Sequence, residues 1–354
     1  MTLPSDLIAF AVALVGSLLL TVPVRRLALH YGMVDLPGPR KVHLSPIPLL
    51  GGIAIYLGFV LAILFTLHGV PHQQMVAILA GATLLALVGF LDDGGLLHHQ
   101  VKLFVGMPLA ALFLYTSGIR AQFFTELVPG TAGIVLDACL TFVWVVGITA
   151  SFSILDHMDG LCAGIAAVAA GFFTLSATLN GQTMVRTLGA AAFGAALGFL
   201  RWNFNPAKIF MGDGGAMFLG FLMATLGLKI RPEGSHFPAT WLVPVLILGV
   251  PIFDTTLVSI SRARRGLLPF TSPGKDHTAH RLSNIGLGQR GAVLSLYGLA
   301  VIFGGLGVLA PFLSLTLEST LAGILVVAGL IAILLLESAP YERQAKPEGS
   351  SSTH

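Results

Sequence analysis

The sequence predicts an all-α polytopic membrane protein with about eleven transmembrane helices. Hydrophobic residues make up 55% of the 354 residues, charged residues make up only 10%, and the mean hydropathy is +0.88. Because soluble domains contain about 25% charged residues, this composition excludes a soluble globular protein. The 42 glycines favour the same class, since small residues let transmembrane helices pack closely. The net charge of +3 gives no indication of nucleic-acid binding.

Eleven apolar runs approach the roughly 20 residues that a helix needs to cross a bilayer. Their bounds are residues 7–27, 49–67, 75–91, 103–117, 138–153, 161–179, 185–200, 215–228, 239–260, 292–309 and 313–336. Between the fourth and fifth runs, Pro129 and Gly130 separate two short apolar stretches. Such a pair is typical of a turn, so residues 119–136 are predicted to form a small extracytoplasmic β-hairpin. Residues 1–337 are predicted to form one membrane domain, and the polar residues 338–354 a disordered cytoplasmic tail.

The basic residues predict the orientation of the chain. When the N-terminus is placed outside, 15 of the 19 Lys and Arg residues fall on the opposite side. The positive-inside rule then puts the N-terminus outside and the C-terminus in the cytoplasm. Four polar motifs fall on the cytoplasmic side as well, at residues 92–93, 156–160, 203–215 and 276–281. Because they are far apart in sequence but share one face, they predict a composite site for a substrate with a polar head group.

Asp92 and Asp93 end the third apolar run, and Lys102 opens the fourth. Adjacent side chains on a helix point roughly 100° apart, so the two carboxylates cannot chelate one ion as a fork. One of them could hold a metal or orient a phosphate while the other handles a proton. The alternative is a solvated loop between two membrane helices.

Asp156 and Asp159 are three residues apart, which places both on one face of a helical turn. They could instead cap the helix that follows them. A second distinctive segment runs from Asn203 through Asn205 to Asp213, which lies between glycines at a predicted helix start. A carboxylate there could bind Mg²⁺ while exposed backbone N–H groups bind a phosphate, and a glycine-rich helix cap is the alternative.

The last polar motif lies in the basic loop at residues 262–290, where His277 and His280 are three residues apart and Arg281 follows. A cytoplasmic loop explains the arginines without a site, whereas a binding site for a diphosphate or an anionic head group explains the histidines too. Asp254 lies inside a predicted membrane helix, where an ionisable residue is a functional candidate. A buried hydrogen bond or ion pair is the alternative for this residue.

Together these motifs resemble the polyprenyl-phosphate N-acetylhexosamine-1-phosphate transferase superfamily. The matching strings are Arg40-Lys41-Val-His43, Asp92-Asp93 with Lys102, Asp156-x-x-Asp159-Gly-Leu, Asn203-Phe-Asn-Pro-Ala-Lys-Ile-Phe-Met-Gly-Asp213 and His277-x-x-His280-Arg-Leu. The resemblance covers most of the chain and implies a multi-pass transferase of the cell (inner) membrane with its active site on the cytoplasmic face. It also implies Mg²⁺ as cofactor, with Mn²⁺ as the alternative, and it is consistent with a homodimer.

The resemblance implies that a membrane polyprenyl phosphate attacks the β-phosphorus of a UDP-sugar and that UMP leaves. In that scheme Asp213 is the metal ligand, and Asp92 or Asp93 takes or positions the proton of the lipid phosphate. The nucleoside would be bound by Asp156, Asp159 and Phe210, whose ring would stack on uracil. The diphosphate or sugar would be bound by Lys102, Asn203, Asn205, His277, His280 and Arg281.

The chain also departs from this family. Ala150 and Ser153 stand where Asn is common, His157 stands where Gly or Asn is common, and Ala279 replaces a frequent His. Because a run of three histidines is missing here, the muramoyl-pentapeptide branch is disfavoured and N-acetylglucosamine is the predicted sugar. Two other functions are alternatives. An intramembrane prenyltransferase would need spaced aspartate motifs to clamp a prenyl diphosphate, and a transporter would carry its charges near mid-membrane.

Overall fold

The computed structural model describes residues 4–36, 45–66, 72–232, 237–268 and 274–339. Residues 340–354 of the predicted tail and the Arg40 to His43 motif lie outside the described residues. The first eight helices are α1 Ser5–His30, α2 Gly51–Thr66, α3 His72–Asp93, α4 His99–Val101, α5 Met107–Thr116, α6 Phe124–Leu127, α7 Thr131–Leu155 and α8 Leu161–Leu179. The remaining helices are α9 Thr183–Asn203, α10 Gly212–Lys229, α11 Phe237–Ile247, α12 Gly249–Arg264, α13 Thr278–Leu282, α14 Gly288–Leu309 and α15 Leu315–Ser338.

Three short helical turns and one strand pair complete the described structure. The turns are π-helical at Lys102–Gly106 and Ser283–Leu287, and 3₁₀ at Ala310–Phe312. The strands β1 Val34–Asp35 and β2 Ile47–Pro48 are antiparallel, with Val34 opposite Pro48.

The protein is an all-α polytopic membrane protein, and each of the eleven predicted segments coincides with a helix or a helix pair. Among the described residues, seven helices are long and apolar enough to cross a membrane. An eighth crossing results if α11 and α12 count as one span with a bend of 73°. The predicted segments at residues 49–67, 103–117 and 215–228 form helices that do not meet this criterion.

The predicted β-hairpin at residues 119–136 is wrong, because α6 lies within it and α7 already begins at Thr131. The side chain of Asp137 accepts hydrogen bonds of 2.7 to 3.0 Å from three successive backbone N–H groups at the start of α6. This carboxylate therefore satisfies the free N–H groups of the short helix, and Pro129-Gly130 leads from one helix into the next. The local turn pattern does not reveal a capping residue that lies 12 to 14 positions further along the chain.

Helix α10 lies at the centre of the molecule. It packs against α2, α3, α7, α8, α9 and α11. Sixteen of its residues are buried, and only Asp213 and Lys229, near its two ends, are more accessible. A helix that is apolar on all sides is expected in such an interior position.

Glycines allow the helices that surround α10 to come within backbone contact. A Cβ atom at Gly52 of α2 would lie 2.3 Å from the backbone N of Gly215, and one at Gly89 of α3 would lie 2.4 Å from the backbone N of Gly214. The same device joins α1 to α9, where a Cβ at Gly194 would lie 2.3 Å from a backbone oxygen of α1. The N-terminus of α10 is therefore fixed by direct backbone packing, as in small-residue contacts between membrane helices.

The two ends of the bundle carry different polar groups. The first turn of α10, the end of α3, the α7–α8 turn and the segment before α13 all meet at one end, as the contacts below show. At the other end, Lys229 donates to Gln74 at 2.7 Å, and the backbone N of Arg231 donates to Gln182. The predicted site residues thus gather at a single end of the molecule.

Candidate active site

Asp213, in the first turn of α10, is the centre of the candidate site. The ammonium group of Lys102 donates to Asp213 Oδ2 at 2.5 Å and to Asp92 Oδ2 at 2.8 Å. The hydroxyl of Ser153, at the end of α7, donates to Asp213 Oδ1 at 2.6 Å. Residues from four separate parts of the sequence therefore meet near one carboxylate. Ser153 belongs to this group although the sequence motifs did not include it.

Asp93 and Asp92 have different partners although they are neighbours in the sequence. Asp93 Oδ1 accepts the backbone N–H of Asp213 at 3.0 Å, and Asp93 Oδ2 accepts that of Gly214 at 3.3 Å. Asp93 thus caps the N-terminus of α10, while Asp92 binds the ammonium of Lys102. Gly212 has a φ of +71°, and a Cβ atom there would lie 2.3 Å from Asp93 Oδ2, so only glycine fits beside this cap.

Asp156 faces the same group of carboxylates. Burial raises the pKa of Asp156 well above its usual range, and the negative charges of Asp213, Asp93 and Asp159 add to this shift. The prediction that Asp156 and Asp159 share one face of a helical turn is wrong, because residues 156–160 form a non-helical turn between α7 and α8. Their side chains accordingly have different surroundings.

Asp159 holds the segment that leads into α10. Its Oδ2 accepts from the side-chain amide of Asn205 at 2.9 Å and from the backbone N–H of Ala207 at 3.0 Å. The Asn205 amide also donates to Gln289 at 3.0 Å, and Arg290 donates to Asn205 Oδ1 at 3.1 Å. Asn205 therefore connects the α7–α8 turn to the start of α14, a link that the sequence motifs did not predict.

Asn203 and Phe210 both make hydrogen bonds to backbone groups that surround the site. Asn203 is only 2% exposed; its Oδ1 accepts from the N–H of Gly160, and its Nδ2 donates to the carbonyl of Ile209. Both ends of this amide, which was predicted to bind a phosphate or sugar, thus bond inside the protein. The backbone of Phe210 pairs with Pro48 and Gly51, and its ring is half-buried.

Three histidines form a second polar group, and one of them was not predicted as a site residue. The ring of His157 stacks on that of His277 with centroids 4.0 Å apart, and the ring centroid of His280 lies 4.8 Å from that of His157. Asp254 accepts from His277 Nδ1 at 3.0 Å and from the backbone N–H of Thr278 at 2.7 Å. Burial, together with the charge of His277, lowers the pKa of His157 well below its usual range, which favours the neutral imidazole.

Arg281, predicted to bind the diphosphate or sugar, is fully buried and bonds to the C-terminal helix. Its guanidinium donates to the carbonyls of Asp276 at 2.8 Å and Leu336 at 2.5 Å, and to Ser261 at 2.9 Å. It also lies 2.8 Å from a carboxylate oxygen of Glu337. These four acceptors use most of the five N–H donors of the guanidinium, which favours a structural role for Arg281.

The carboxylates fit the divalent cation that the sequence implies. Asp92 and Asp213 approach one ammonium group, and the pKa of Asp156 is raised by burial and by neighbouring negative charge. Hard oxygen donors of this kind are those that Mg²⁺ prefers, and an added cation would offset their mutual repulsion. Asp93 fits less well as a ligand, because both of its oxygens accept backbone hydrogen bonds.

Comparison with known proteins gives the family. Residues 75–231 match glycosyl transferase family 4. A Bacillus subtilis (strain 168) protein, described as a probable undecaprenyl-phosphate N-acetylglucosaminyl 1-phosphate transferase, is 37% identical over 304 residues, which cover 84% of this chain and 82% of that protein. The chain belongs to glycosyl transferase family 4.

Other relatives of this family 4 glycosyl transferase have similar descriptions. A Mycolicibacterium smegmatis decaprenyl-phosphate N-acetylglucosaminephosphotransferase is 33% identical, with 77% of this chain and 74% of the relative covered. An Escherichia coli K12 undecaprenyl-phosphate alpha-N-acetylglucosaminyl 1-phosphate transferase is 28% identical, with 81% and 79% covered. The family match contains the carboxylate group and ends before His277, so two of the three clustered histidines lie beyond it.

Proposed function

We propose that this protein transfers N-acetylglucosamine 1-phosphate from UDP-N-acetylglucosamine to a membrane polyprenyl phosphate. The products are polyprenyl diphosphate N-acetylglucosamine and UMP, and the reaction is the first lipid-linked step of a cell-envelope polysaccharide. The relatives act on undecaprenyl or decaprenyl phosphate by name, which supports a long polyprenyl acceptor. The comparisons do not favour the prenyltransferase or the transporter.

The observation that carries this proposal is the convergence of Asp92 and Asp213 on the ammonium of Lys102 at the start of α10, with Asp156 near enough for the charge of Asp213 to raise its pKa. Phosphoryl transfer depends mainly on positioning and on electrostatic stabilisation, and this group supplies both signs of charge at one place. An oxygen of the lipid phosphate forms a bond to the β-phosphorus, and the bond from that phosphorus to the UMP oxygen breaks. One phosphoanhydride bond is broken and another is formed, so the free energy of the reaction is close to zero.

The structure favours different roles for the two adjacent aspartates. Asp92 is the group that takes or positions the proton of the lipid phosphate, because no backbone hydrogen bond among the described residues holds its carboxylate. Asp93 is a positioning residue that fixes the start of α10 and hence Asp213. Lys102 neutralises Asp92 and Asp213 before substrate binds, and its ammonium can then bind the donor diphosphate.

Mg²⁺, or Mn²⁺, would be held by Asp213 together with Asp92 or Asp156, and when bound it would offset the negative charge of the diphosphate. Ser153 orients the carboxylate of Asp213 by its hydrogen bond. Asp159, which is bonded to Asn205, and the ring of Phe210 are the candidates for binding the nucleoside. His277 and His280 are the remaining candidates for the sugar or diphosphate.

We also propose that the site faces the cytoplasm of the inner membrane, where UDP-sugars are present. Eleven crossings, an odd number, would put the two termini on opposite sides of the membrane, and the distribution of basic residues favours an outside N-terminus and an inside C-terminus. One membrane domain, a cytoplasmic tail and a homodimer complete the proposal.

The test is UMP release by the purified protein with UDP-N-acetylglucosamine, undecaprenyl phosphate and Mg²⁺. We expect release that a chelator stops and that Asp213→Ala reduces by at least about 100-fold, because charge stabilisation at the reacting phosphate is lost. Asp6→Ala is the matched control, since Asp6 lies in the first turn of α1, away from the site. If Asp213→Ala released UMP at the wild-type rate, the proposed role of this site would be wrong.

A further inference from the structure

The buried group of His157, His277 and Asp254 contains the donor atoms of a metal site that is separate from the carboxylate group. One donor atom from each of these three residues lies within 4.8 Å of the other two. Asp254 and His277 are 2% and 4% exposed, and His157 is half-buried.

The hydrogen bonds decide which atom of His157 is free. Its Nδ1 lies 3.1 Å from the carbonyl of Ile154, and a carbonyl only accepts, so Nδ1 carries the hydrogen. In the neutral ring Nε2 then has a lone pair. This Nε2 is buried and has no hydrogen-bond partner among the described residues. A buried, partnerless lone pair on an imidazole is the ligand form that transition metals bind.

The other two donors are already at a suitable separation. His277 Nδ1 and Asp254 Oδ2 are 3.0 Å apart, close to the spacing of two ligands on one ion with bonds of roughly 2 Å. The second oxygen of Asp254 accepts the backbone N–H of Thr278, which fixes the carboxylate. Each outer hydrogen bond, at Ile154 and at Thr278, would orient a ligand in the way that metal sites commonly require.

We propose that His157 Nε2, His277 Nδ1 and Asp254 Oδ2 bind a transition-metal ion of the Zn²⁺ class. The ion takes the place of the hydrogen shared by His277 and Asp254, and that hydrogen leaves as a proton. Two nitrogens and one oxygen match Zn²⁺ or Co²⁺, whereas Mg²⁺ prefers the oxygen donors of the carboxylate group. His280, whose ring is next to His157, or a water molecule is available as the fourth ligand.

This site has a consequence that rests on the proposed function. His277 and His280 are candidate ligands of the donor diphosphate or sugar, and an ion that binds His277 and takes His280 as its fourth ligand withdraws His280 from the substrate. Zn²⁺ bound here therefore inhibits the transferase by weakening donor binding. We expect Zn²⁺ to raise KM for UDP-N-acetylglucosamine more than it lowers kcat, and His157→Asn to relieve this inhibition.

Metal binding is measured first, without reference to activity. The full-length protein in detergent is freed of metal by a chelator and titrated with Co²⁺, and the visible absorption of the ion is recorded. We expect one ion per chain with the intense bands of a four-coordinate site, displaced by Zn²⁺ and unaffected by excess Mg²⁺. His157→Asn and Asp254→Asn should each weaken binding by about 10- to 100-fold. His30→Asn, an exposed histidine at the end of α1, is the matched control and should bind as the wild type does.

The site is refuted if wild-type protein leaves the spectrum of Co²⁺ in its hydrated form, or if His157→Asn binds as well as His30→Asn. Because Asp254→Asn could disturb folding, the melting temperature of wild-type protein with and without Zn²⁺ gives a second measurement. A ligand that binds only the folded state raises it, and no rise at saturating Zn²⁺ would also refute the site. If the Co²⁺ absorption bands appear but Zn²⁺ does not inhibit UMP release, the metal site is supported and only its effect on the transferase is rejected.

Discussion

At the scale of single residues, hydrogen bonds separate groups that the sequence presents as equivalent. Asp92 and Asp93 are adjacent carboxylates, yet one binds an ammonium group and the other caps a helix. The cap is local to α10 and independent of any substrate. This difference is the reason we propose Asp92 for the proton or phosphate role.

We expect Asp92→Asn to abolish activity without lowering the stability of the protein. Asp93→Ala should lower both activity and stability. Loss of a positioned proton-handling group reduces kcat by about 10²- to 10⁴-fold. Loss of the helix cap costs about 0.5–2 kcal/mol of folding free energy. UMP release and thermal unfolding in detergent, recorded for both variants, distinguish the roles. Equal loss of stability in the two variants would contradict the assignment.

Arg281 provides a second test at this scale, because a structural role and a substrate role predict different results. Arg281→Ala would leave the side chain of Glu337 buried without its main partner, at a cost of about 3–5 kcal/mol. We expect a large drop in melting temperature and faster proteolysis at α15. Arg264 is the control, since it is 63% exposed and lies 3.5 Å from the same carboxylate, so its loss should cost less than about 1 kcal/mol. A stable Arg281→Ala protein with only a raised KM for the donor would restore the substrate role.

Which residues belong to the site could be predicted from the sequence, but what each of them does could not. The motifs brought together Asp92, Lys102 and Asp213 correctly, because charge is rare in an apolar chain and stands out. The internal bonds of Asn203 and Arg281 could not be predicted, because burial and partners that come from other segments are not visible in a motif. Ser153 was noted as a departure from the family, and only the structure shows its bond to Asp213.

At the scale of helices, glycine positions determine how the site is held. Gly89 of α3 and Gly52 of α2 contact the backbone of the first turn of α10. Asp93 lies one turn beyond Gly89 on α3. The close approach at Gly89 therefore also sets the distance from the Asp93 carboxylate to the backbone N–H groups of α10. The positions of the helices could be predicted from the apolar runs. The close packing could not, because it depends on which helix faces contact each other.

Gly89→Ala should therefore move α3 away from α10 and reduce activity. The added Cβ would lie 2.4 Å from a backbone nitrogen, which cannot move without displacing Asp213. The control is Gly147→Ala in the interior of α7, where a Cβ would meet nothing within 4 Å. That change should be neutral or should stabilise the protein by about 0.5–1 kcal/mol, because alanine is the better helix former. Thermal unfolding and UMP release of both variants test this, and equal behaviour would argue against the packing role.

At the scale of the whole molecule, the two ends of the bundle differ in chemistry. One end holds the carboxylates, Lys102 and the histidines, and the other holds Lys229, Arg231 and their amide partners Gln74 and Gln182. A reaction between a soluble sugar nucleotide and a lipid phosphate requires the first end to lie at a membrane surface. We propose the cytoplasmic surface, because most of the basic residues are predicted to lie on that side.

This orientation can be tested with single cysteines. Cys139 and Cys162 are first replaced by Ser and Ala, and a cysteine is then placed at Leu96, near the site, or at Thr183, at the opposite end. Both positions are exposed, so access from the correct side is the only requirement for labelling. In intact cells a membrane-impermeant maleimide should label Thr183→Cys at once, and Leu96→Cys only after the membrane is opened. Labelling in the reverse order would place the carboxylate site outside the cell, where UDP-sugars are absent, and would overturn the proposed function along with the orientation.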